Sequence, residues 1–306
     1  MTDDRNEATQ NNDIMFLVFD LEKTQPLPKV TTNKAFYLRQ MWFYNLVMHY
    51  ANTMDENALM CIWLESEGGR GVDEIGSCIL RFFESIEPCR RVLAWSDSCA
   101  GQNKNQFILF VWLWLVHEKK SISEIIHSFP VVGHSYNASD RDSSLLETMF
   151  KKSENIYDKS EYRDLIVRAK RRNPFKVLDM KAKFYNIKEF CNSMNLVNRT
   201  KNDAGEKIRF RDIRQIKVTE EIKGCYEYRY SMTDDWHCVN VESKRKGLRN
   251  TNLRGPKLKP DVPRPIDMKK IRDISNLLPF VPQVHHHVYR SLTSKTDQDT
   301  SDSDDE

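Results

Sequence analysis

Apolar residues in the first part of the chain fall into short continuous runs separated by polar turns. Residues 14–19 form a partly β-branched run, which predicts a buried strand that ends at Asp20. The aromatic-rich stretch 36–50 and the apolar run 58–64 predict two further strands, with a polar turn at 52–57 between them. The chain therefore begins with three strands that can pair as an antiparallel meander.

The next residues alternate between helical spacing and short strands. The spacing predicts helices at 72–86, 107–117 and 139–152, and it predicts strands at 91–95 and 124–132. Three antiparallel strands followed by strand–helix crossovers give an α/β fold class with a mixed sheet. This order is similar to that of ribonuclease H-like domains.

Composition divides the chain into four predicted segments. Residues 1–13 are polar and acidic and are expected to be disordered, whereas 14–153 form the α/β core. Residues 154–292 are predicted to be a smaller basic α+β appendage that ends with a helix. Residues 293–306 are expected to be a disordered tail, since the last ten residues contain six acids and no base.

Three acidic residues stand at the ends of predicted core elements. Asp20 ends the first strand, Asp97 follows the fourth strand, and Asp140 opens the helix after the fifth. If the first and fourth strands are neighbours, these carboxylates meet at one edge of the sheet. Convergent carboxylates repel one another and persist mainly where a divalent cation neutralises them. The pattern therefore predicts three catalytic acids that bind Mg²⁺ or Mn²⁺ for phosphodiester cleavage or strand transfer.

The identity of the third acid stays open between three residues of one predicted helix. Asp140 is preferred, because it shares a helix face with Glu147 and lies nearest to the preceding loop. Glu147 is the second choice. Asp142 points about 160° away from Asp140 around the helix axis, so its substitution is expected to be close to silent.

Two polar loops adjoin these acids. The loop after Asp97 offers side chains that could bind a phosphate backbone or base edges, namely Gln102, Asn103, Lys104 and Asn105. The alternative for this loop is an elaborate strand-to-helix turn. His134, in the loop before Asp140, could orient or protonate a scissile phosphate, or it could be structural.

Glu22 leaves a second enzymatic alternative open. Residues two apart in a strand share a face, so Asp20 and Glu22 could both reach a metal ion. That pair is similar to the first motif of proofreading-type 3′–5′ exonucleases, which also use a His shortly before their last Asp. Here the spacing from His134 to Asp140 is one residue longer.

Charge is distributed unevenly along the chain. The net charge is only +3, but residues 151–257 contain 27 Lys and Arg against 15 Asp and Glu. Such a basic region suits a protein that binds a polyanion, and the alternative is a solvated surface. The cluster Lys170, Arg171 and Arg172 is the predicted contact with the nucleic-acid backbone. DNA is the expected partner, and the expected location is intracellular and nuclear.

Other classes of protein are disfavoured. The seven cysteines form no C-x-x-C pair, and their odd number argues against a secreted disulfide framework. The longest apolar run, 107–116, is about half of what a membrane span needs, so no membrane partner is expected. The tract 285–287 contains three histidines, but consecutive residues cannot easily face one metal ion.

Several motifs together resemble one family. They are Phe19-Asp-Leu-Glu-Lys-Thr-Gln-Pro-Leu-Pro28, Arg39-Gln-Met-Trp-Phe-Tyr-Asn45, Ser96-Asp-Ser-Cys-Ala-Gly-Gln-Asn-Lys-Asn105, Phe129-Pro-Val-Val-Gly-His134, Asp140-Arg-Asp142 and Leu278-Pro-Phe-Val-Pro-Gln283. The chain thereby resembles a large uncharacterised family of eukaryotic proteins, abundant in arthropods, that look transposon-derived. The resemblance covers about residues 14–292 and implies a transposase-type or integrase-type core. Its members usually carry a longer region before the first strand, so autonomous DNA recognition is not expected here. A catalytically silent remnant that binds nucleic acid or protein is the alternative.

Overall fold

The fold is taken from a computed structural model of the chain. The structure describes residues 1–119, 122–130, 138–194, 196–197, 199–242 and 255–293, with the side chain of residue 138 left out. His134 and the acidic tail from residue 294 onward lie outside the described residues.

Ten strands make up one sheet in the described part of the chain. Their bounds are β1 Ile14–Leu21, β2 Gln25–Leu27, β3 Met41–Ala51, β4 Glu56–Leu64, β5 Arg91–Ser96, β6 Glu124–Ser128, β7 Lys176–Asp179, β8 Gln215–Thr219, β9 Cys225–Arg229 and β10 His237–Asn240. The order across the sheet is β10-β9-β8-β6-β5-β1-β3-β4-β7, and β2 pairs with β3 outside this path. Pairing is parallel for β1–β5, β5–β6 and β4–β7, and it is antiparallel elsewhere, so the sheet is mixed.

Helices connect these strands and cover the sheet. The α-helices are α1 Thr2–Gln10, α2 Asn33–Tyr37, α3 Val72–Ser85, α4 Gln106–His117, α5 Ala138–Lys152, α6 Lys159–Arg168, α7 Ile187–Ser193, α8 Met268–Leu277 and α9 His286–Arg290. Short 3₁₀ turns occupy Phe210–Asp212, Leu278–Phe280 and Gln283–His285. The sequence-based prediction of an α/β fold with a mixed sheet is confirmed at this level.

Alternation along the strands produces a core on each face of the sheet. On one face, α3, α4 and α7 pack against residues such as Leu17, Phe19 and Trp63. On the other face, α5, α6 and α8 pack against Val47, Met60 and neighbouring residues of β3 and β4. Helix α1 covers the adjoining part of that second face. There Ala8 of α1 belongs to one buried cluster with Phe16 and Val18 of β1 and Leu93 of β5.

The N-terminal segment differs from its predicted disorder. Residues 2–10 form α1, whose Ala8 is fully buried. Trp95 Nε1 donates a hydrogen bond of 2.8 Å to Asp4 Oδ2, and Arg5 forms an ion pair with Glu56. Composition alone favoured disorder because it could not show that these polar side chains have specific partners on the sheet.

The region after residue 153 also differs from the expected separate appendage. Strand β7 pairs with β4 at one side of the sheet, and β8 pairs with β6 at the other side. The core and the predicted appendage therefore share one sheet. A smaller difference is that residues 36 and 37, predicted as strand, belong to α2, since β3 begins only at Met41.

No helix in the described part of the chain is both long and apolar enough to cross a membrane. The longest apolar run instead becomes α4, whose side chains are buried on most sides against the sheet. A helix that is apolar all round packs inside a large core, which agrees with the sequence-based interpretation of this run.

Candidate functional site

Asp20 and Asp97 lie at the carboxyl ends of neighbouring parallel strands. Strands β1 and β5 pair in a register that places Phe19 opposite Ser96. The residue after Phe19 is Asp20, and the residue after Ser96 is Asp97. Alternation from Phe16 and Leu93 puts both aspartates on the face covered by α1 and α5. The expected placement of these two acids at one edge of the sheet is therefore observed.

Asp140 approaches the same edge from the first turn of α5. Burial, together with the negative charges of Asp97 and Asp140, raises the pKa of Asp20 to about 7. The charges of two carboxylates from separate elements therefore act on Asp20. In this environment the Asp20 side chain accepts a proton near neutral pH unless a cation offsets the repulsion.

Glu22 extends the acidic site along the same face of β1. The pKa of Glu22 is raised to about 7. Burial is the main cause, the charges of Glu147 and Asp20 add to it, and hydrogen bonds from Asn45 and Ser143 partly offset it. Asn45 Nδ2 donates to Glu22 Oε2 at 2.7 Å. Glu22 Oε1 and Asn45 Oδ1 are buried without a hydrogen-bond partner among the described residues. Buried oxygens of this kind are costly unless something binds them.

Asp142 has a different environment from the one expected. Its side chain is only 2% exposed, with Oδ2 at 2.7 Å from His49 Nδ1 and Oδ1 at 3.1 Å from Lys170 Nζ. Burial alone would raise the pKa of Asp142, but the hydrogen bonds and positive charges of His49 and Lys170 lower it. This burial gives Asp142 a structural role that the sequence did not predict, because the residue fixes α5 to β3. That Asp142→Asn would be close to silent for a metal-dependent activity stays a prediction. Glu147 is half-buried and forms an ion pair with Lys151 at 2.9 Å.

Side chains of the loop after Asp97 form hydrogen bonds with other parts of the fold. Asn103 is 1% exposed and donates a hydrogen bond of 2.5 Å to Asp97 Oδ1. Lys104 Nζ donates to the carbonyl oxygens of Arg211 and Ile213, each at 2.6 Å. Asn105 Oδ1 accepts hydrogen bonds from the backbone of the first turn of α4. Asn103, Lys104 and Asn105 therefore stabilise a strand-to-helix turn, as in the alternative interpretation of this loop. Gln102 is half-buried.

Burial also changes the acid–base behaviour of this loop. Burial, together with the nearby positive charge of Arg214, lowers the pKa of Lys104 to about 8. A buried ammonium that already donates to two carbonyl oxygens cannot reach an external phosphate without breaking those bonds. Lys104 is better described as the residue that attaches the loop to the segment before β8.

His127 supports the strand that carries Asp97 and was not identified from the sequence. Trp112 Nε1 donates to His127 Nδ1 at 3.2 Å, so the ring proton is on Nε2, which lies 2.9 Å from Ser96 Oγ. Burial lowers the pKa of His127 to about 3, with a contribution from the charge of Lys104, and the ring stays neutral. The only sequence signal for this role was a polar residue in an otherwise buried strand.

The predicted basic cluster splits into two kinds of residue. Arg171 and Arg172 are exposed beyond the end of α6. Lys170 instead contacts Asp142 and lies 4.1 Å from the centre of the Phe175 ring. Only the two arginines are therefore available for a backbone phosphate without the loss of an internal contact.

The histidine tract near the C-terminus contributes to the fold. His285 Nδ1 lies 2.6 Å from Asp158 Oδ2, and the His286 ring bonds the carbonyl oxygens of Leu278 and Val281. Across the described ranges, no group of three His, Cys, Asp or Glu side chains is arranged so that it could hold a metal ion. The acids around Asp20 are thus close enough to affect one another without forming a closed metal site.

Comparison with known proteins identifies a family. The family model described as a domain of unknown function, DUF7869, matches residues 76–234, which is more than half of the chain. The chain belongs to this family. The DUF7869 match begins inside α3 and ends between β9 and β10, so it includes Asp97 and Asp140 and excludes Asp20. No curated protein matches the chain.

One similar solved structure accompanies the DUF7869 match. It is a chain of the cryo-EM structure of the simian T-cell lymphotropic virus intasome in complex with PP2A regulatory subunit B56 gamma. The identity is 11% and the TM-score 0.28, with 76% of this chain and 81% of that chain covered. A likeness this low carries no argument about the fold or the function of the DUF7869 chain.

Proposed function

We propose that this protein is a ribonuclease H-like, metal-dependent enzyme that cleaves or joins phosphodiester bonds of nucleic acid, with Asp20, Asp97 and Asp140 as its catalytic acids. The observation that carries the proposal is the convergence of these carboxylates from β1, β5 and α5 on one face and at one edge of the sheet. Each residue alone has an ordinary explanation as a strand-end or helix-end residue. Together they form a repulsive arrangement that a metal ion would relieve.

The strand order supports the fold assignment within this proposal. Numbered by their order in the core, the strands β4, β3, β1, β5 and β6 run 3-2-1-4-5 across the sheet. The first three are antiparallel, and the last two run parallel to β1. The sequence predicted the order of these elements along the chain, and the adjacency of the first and fourth strands supports the proposed ribonuclease H-like core.

The residues fit a divalent cation in their donor chemistry. Carboxylate oxygens are the ligands that Mg²⁺ and Mn²⁺ prefer, and the unpartnered Glu22 Oε1 would be a further donor beside Asp20. Bound Mg²⁺ or Mn²⁺ would supply an activated water or hydroxyl nucleophile and would stabilise the leaving oxygen. The chain itself contributes position, because Asn103 holds the Asp97 carboxylate and Asn45 holds that of Glu22.

A catalytically silent binding module remains the second candidate. It is favoured by one observation, the lack of a closed group of three metal-binding side chains among the described residues. In that case the same surface, with Arg171 and Arg172, would bind nucleic acid without cutting it. The 3′–5′ exonuclease alternative depends on Glu22 together with His134, which lies outside the described residues.

A nuclease and strand-transfer assay separates the two candidates. The purified chain is incubated with Mg²⁺ or Mn²⁺ and labelled single-stranded or double-stranded DNA and RNA. We expect cleavage or joining that is abolished in Asp20→Asn and Asp97→Asn and retained in Asp234→Asn, an exposed carboxylate between β9 and β10. Products that are the same for all four proteins, or no products on any substrate, would contradict the enzymatic proposal.

A further inference from the structure

Two large aromatic side chains project from α2 into solvent. Phe36 is 86% exposed and Tyr37 is 81% exposed, which makes them more exposed than nearly all other large apolar residues of the described chain. Their ring centroids lie 5.1 Å apart at an interplanar angle of 83°. Two adjacent exposed aromatic side chains offer a large apolar surface to a binding partner.

The fold does not need these two rings for its own packing. Helix α2 already contacts the core through Ala35 and Leu38, which lie on its inner side. Thr32 caps the helix, and Arg39 N donates a hydrogen bond of 3.1 Å to Asp273 Oδ2 just after it. The helix is thus fixed by other residues and presents Phe36 and Tyr37 outward.

Lys34 and Arg39 flank the two aromatic residues in sequence. Lys34 is exposed and its Nζ lies 5.8 Å from the centre of the Phe280 ring, which is itself 41% exposed. The Arg39 side chain is 52% exposed, with Asp273 at 3.5 Å as its ion-pair partner. Exposed aromatic faces interleaved with Lys and Arg are the combination by which proteins bind single strands, since bases stack on the rings and cations meet the phosphates. A buried protein–protein contact would instead favour apolar residues with few Lys.

The topology places α2 at the same end of the sheet as the acids. Strand β3 runs antiparallel to β1, with Asp20 opposite Val47, so the beginning of β3 extends beyond the carboxyl end of β1. Six residues separate Val47 from Met41, roughly 20 Å of strand, and α2 comes just before it. Helix α2 and the acids therefore lie toward the same end of the sheet, which is the placement that a nucleic-acid strand contacting both would need.

From this geometry we propose that Phe36 and Tyr37 form a stacking platform for unpaired bases, with Lys34 and Arg39 contacting the adjoining phosphates. The substrate class of the acidic site is then a nucleic acid with a single-stranded segment next to the reacting bond. This second statement rests on the proposed function, whereas binding at the platform does not require catalysis.

Binding is measured by fluorescence anisotropy with labelled DNA oligonucleotides, single-stranded and double-stranded, in buffer containing EDTA. The double variant Phe36→Leu/Tyr37→Leu keeps apolar bulk but removes both aromatic faces. Stacking contributes about 1–3 kcal/mol per base, which is about 5-fold to 150-fold in affinity, so we expect single-strand affinity to fall at least tenfold. Double-strand affinity should change less than about twofold. Met54→Ala is the matched control, because Met54 is 85% exposed at the β3–β4 turn, at the far end of the sheet.

Four results would overturn the platform. They are no binding of single strands by the wild-type chain, an unchanged affinity in the double variant, an equal loss for double strands, or an equal loss in Met54→Ala. Sedimentation of the protein alone tests a protein contact, since self-association that the double variant abolishes would assign this surface to a second copy of the chain. Cleavage assays separate the two proposals. If the wild-type chain has no nuclease activity but the double variant loses single-strand binding, only the platform is supported. If the wild-type chain has activity and the double variant binds single strands as well as the wild type does, only the enzyme is supported.

Discussion

Replacing Asp20 by Asn is expected to make the metal-free protein more stable. The pKa of Asp20 is raised from 3.8 to about 7 in the folded chain, first by burial and then by Asp97 and Asp140. Each pKa unit corresponds to about 1.4 kcal/mol, so the charged carboxylate costs the folded state up to about 4 kcal/mol. An amide of the same shape removes that charge.

The sign of the pH dependence follows from the direction of the shift. Between the unfolded and folded pKa values the folded chain holds a proton that the unfolded chain has lost, so stability falls as the pH rises through this window. The gain from Asp20→Asn should therefore be complete above a pH of about 7 and should shrink below about 1 kcal/mol near pH 4. Relaxation around the half-buried site reduces the full value, and we expect about 2–4 kcal/mol at pH 8.

Urea unfolding followed by circular dichroism, with EDTA at pH 8 and pH 4, measures this gain. Asp234→Asn is the control, since its carboxylate is exposed and should leave the free energy of unfolding unchanged within about 0.5 kcal/mol. Added Mg²⁺ should stabilise the wild-type protein more than Asp20→Asn, if the acids bind it. A variant that is less stable than the wild type at pH 8, or a gain that grows toward pH 4, would refute the electrostatic reasoning.

Three further predictions concern residues outside the acidic triad. Asp142→Ala should lower the free energy of unfolding by about 3 kcal/mol in urea titrations, because the buried His49 imidazole and Lys170 Nζ lose the Asp142 carboxylate. A loss under about 1 kcal/mol would contradict this pairing. If nucleic acid binds near the end of α6, Arg171→Ala/Arg172→Ala should flatten the slope of log affinity against log salt by about 2, while an unchanged slope would place the contact elsewhere. Lys104→Ala should lower the urea midpoint by removing two buried hydrogen bonds, about 1–3 kcal/mol in total, and a wild-type midpoint would exclude the structural role.

The order of elements in the core could be predicted because each run of residues has one clear period. The strand at 14–19 and the helices at 72–86 and 107–117 appear within two residues of their predicted bounds. The neighbouring positions of Asp20 and Asp97 followed from the same order, because the carboxyl ends of parallel strands meet at one edge.

Partners of polar side chains could not be predicted in the same way. The helix period placed Asp142 on a different side of α5 from Asp140, but it could not show that β3 offers His49 as a buried partner for Asp142. Nor could it show that Lys104 turns inward to two carbonyl oxygens more than a hundred residues away in sequence. Such contacts depend on the packing of distant segments, whereas local spacing reports only which face a residue occupies.

The continuous sheet also bears on how this chain can be divided. Strands β7 and β8, both from the part after residue 153, add to the two sides of the five-stranded core, next to β4 and β6. A fragment that ends near residue 153 would lack β7 and β8. It would leave β4 and β6 as open edges, with unpaired backbone groups that promote aggregation. Successive truncations from the C-terminus should therefore fail in solubility rather than yield an independent catalytic unit. The two halves of the chain therefore form one sheet that neither completes without the other.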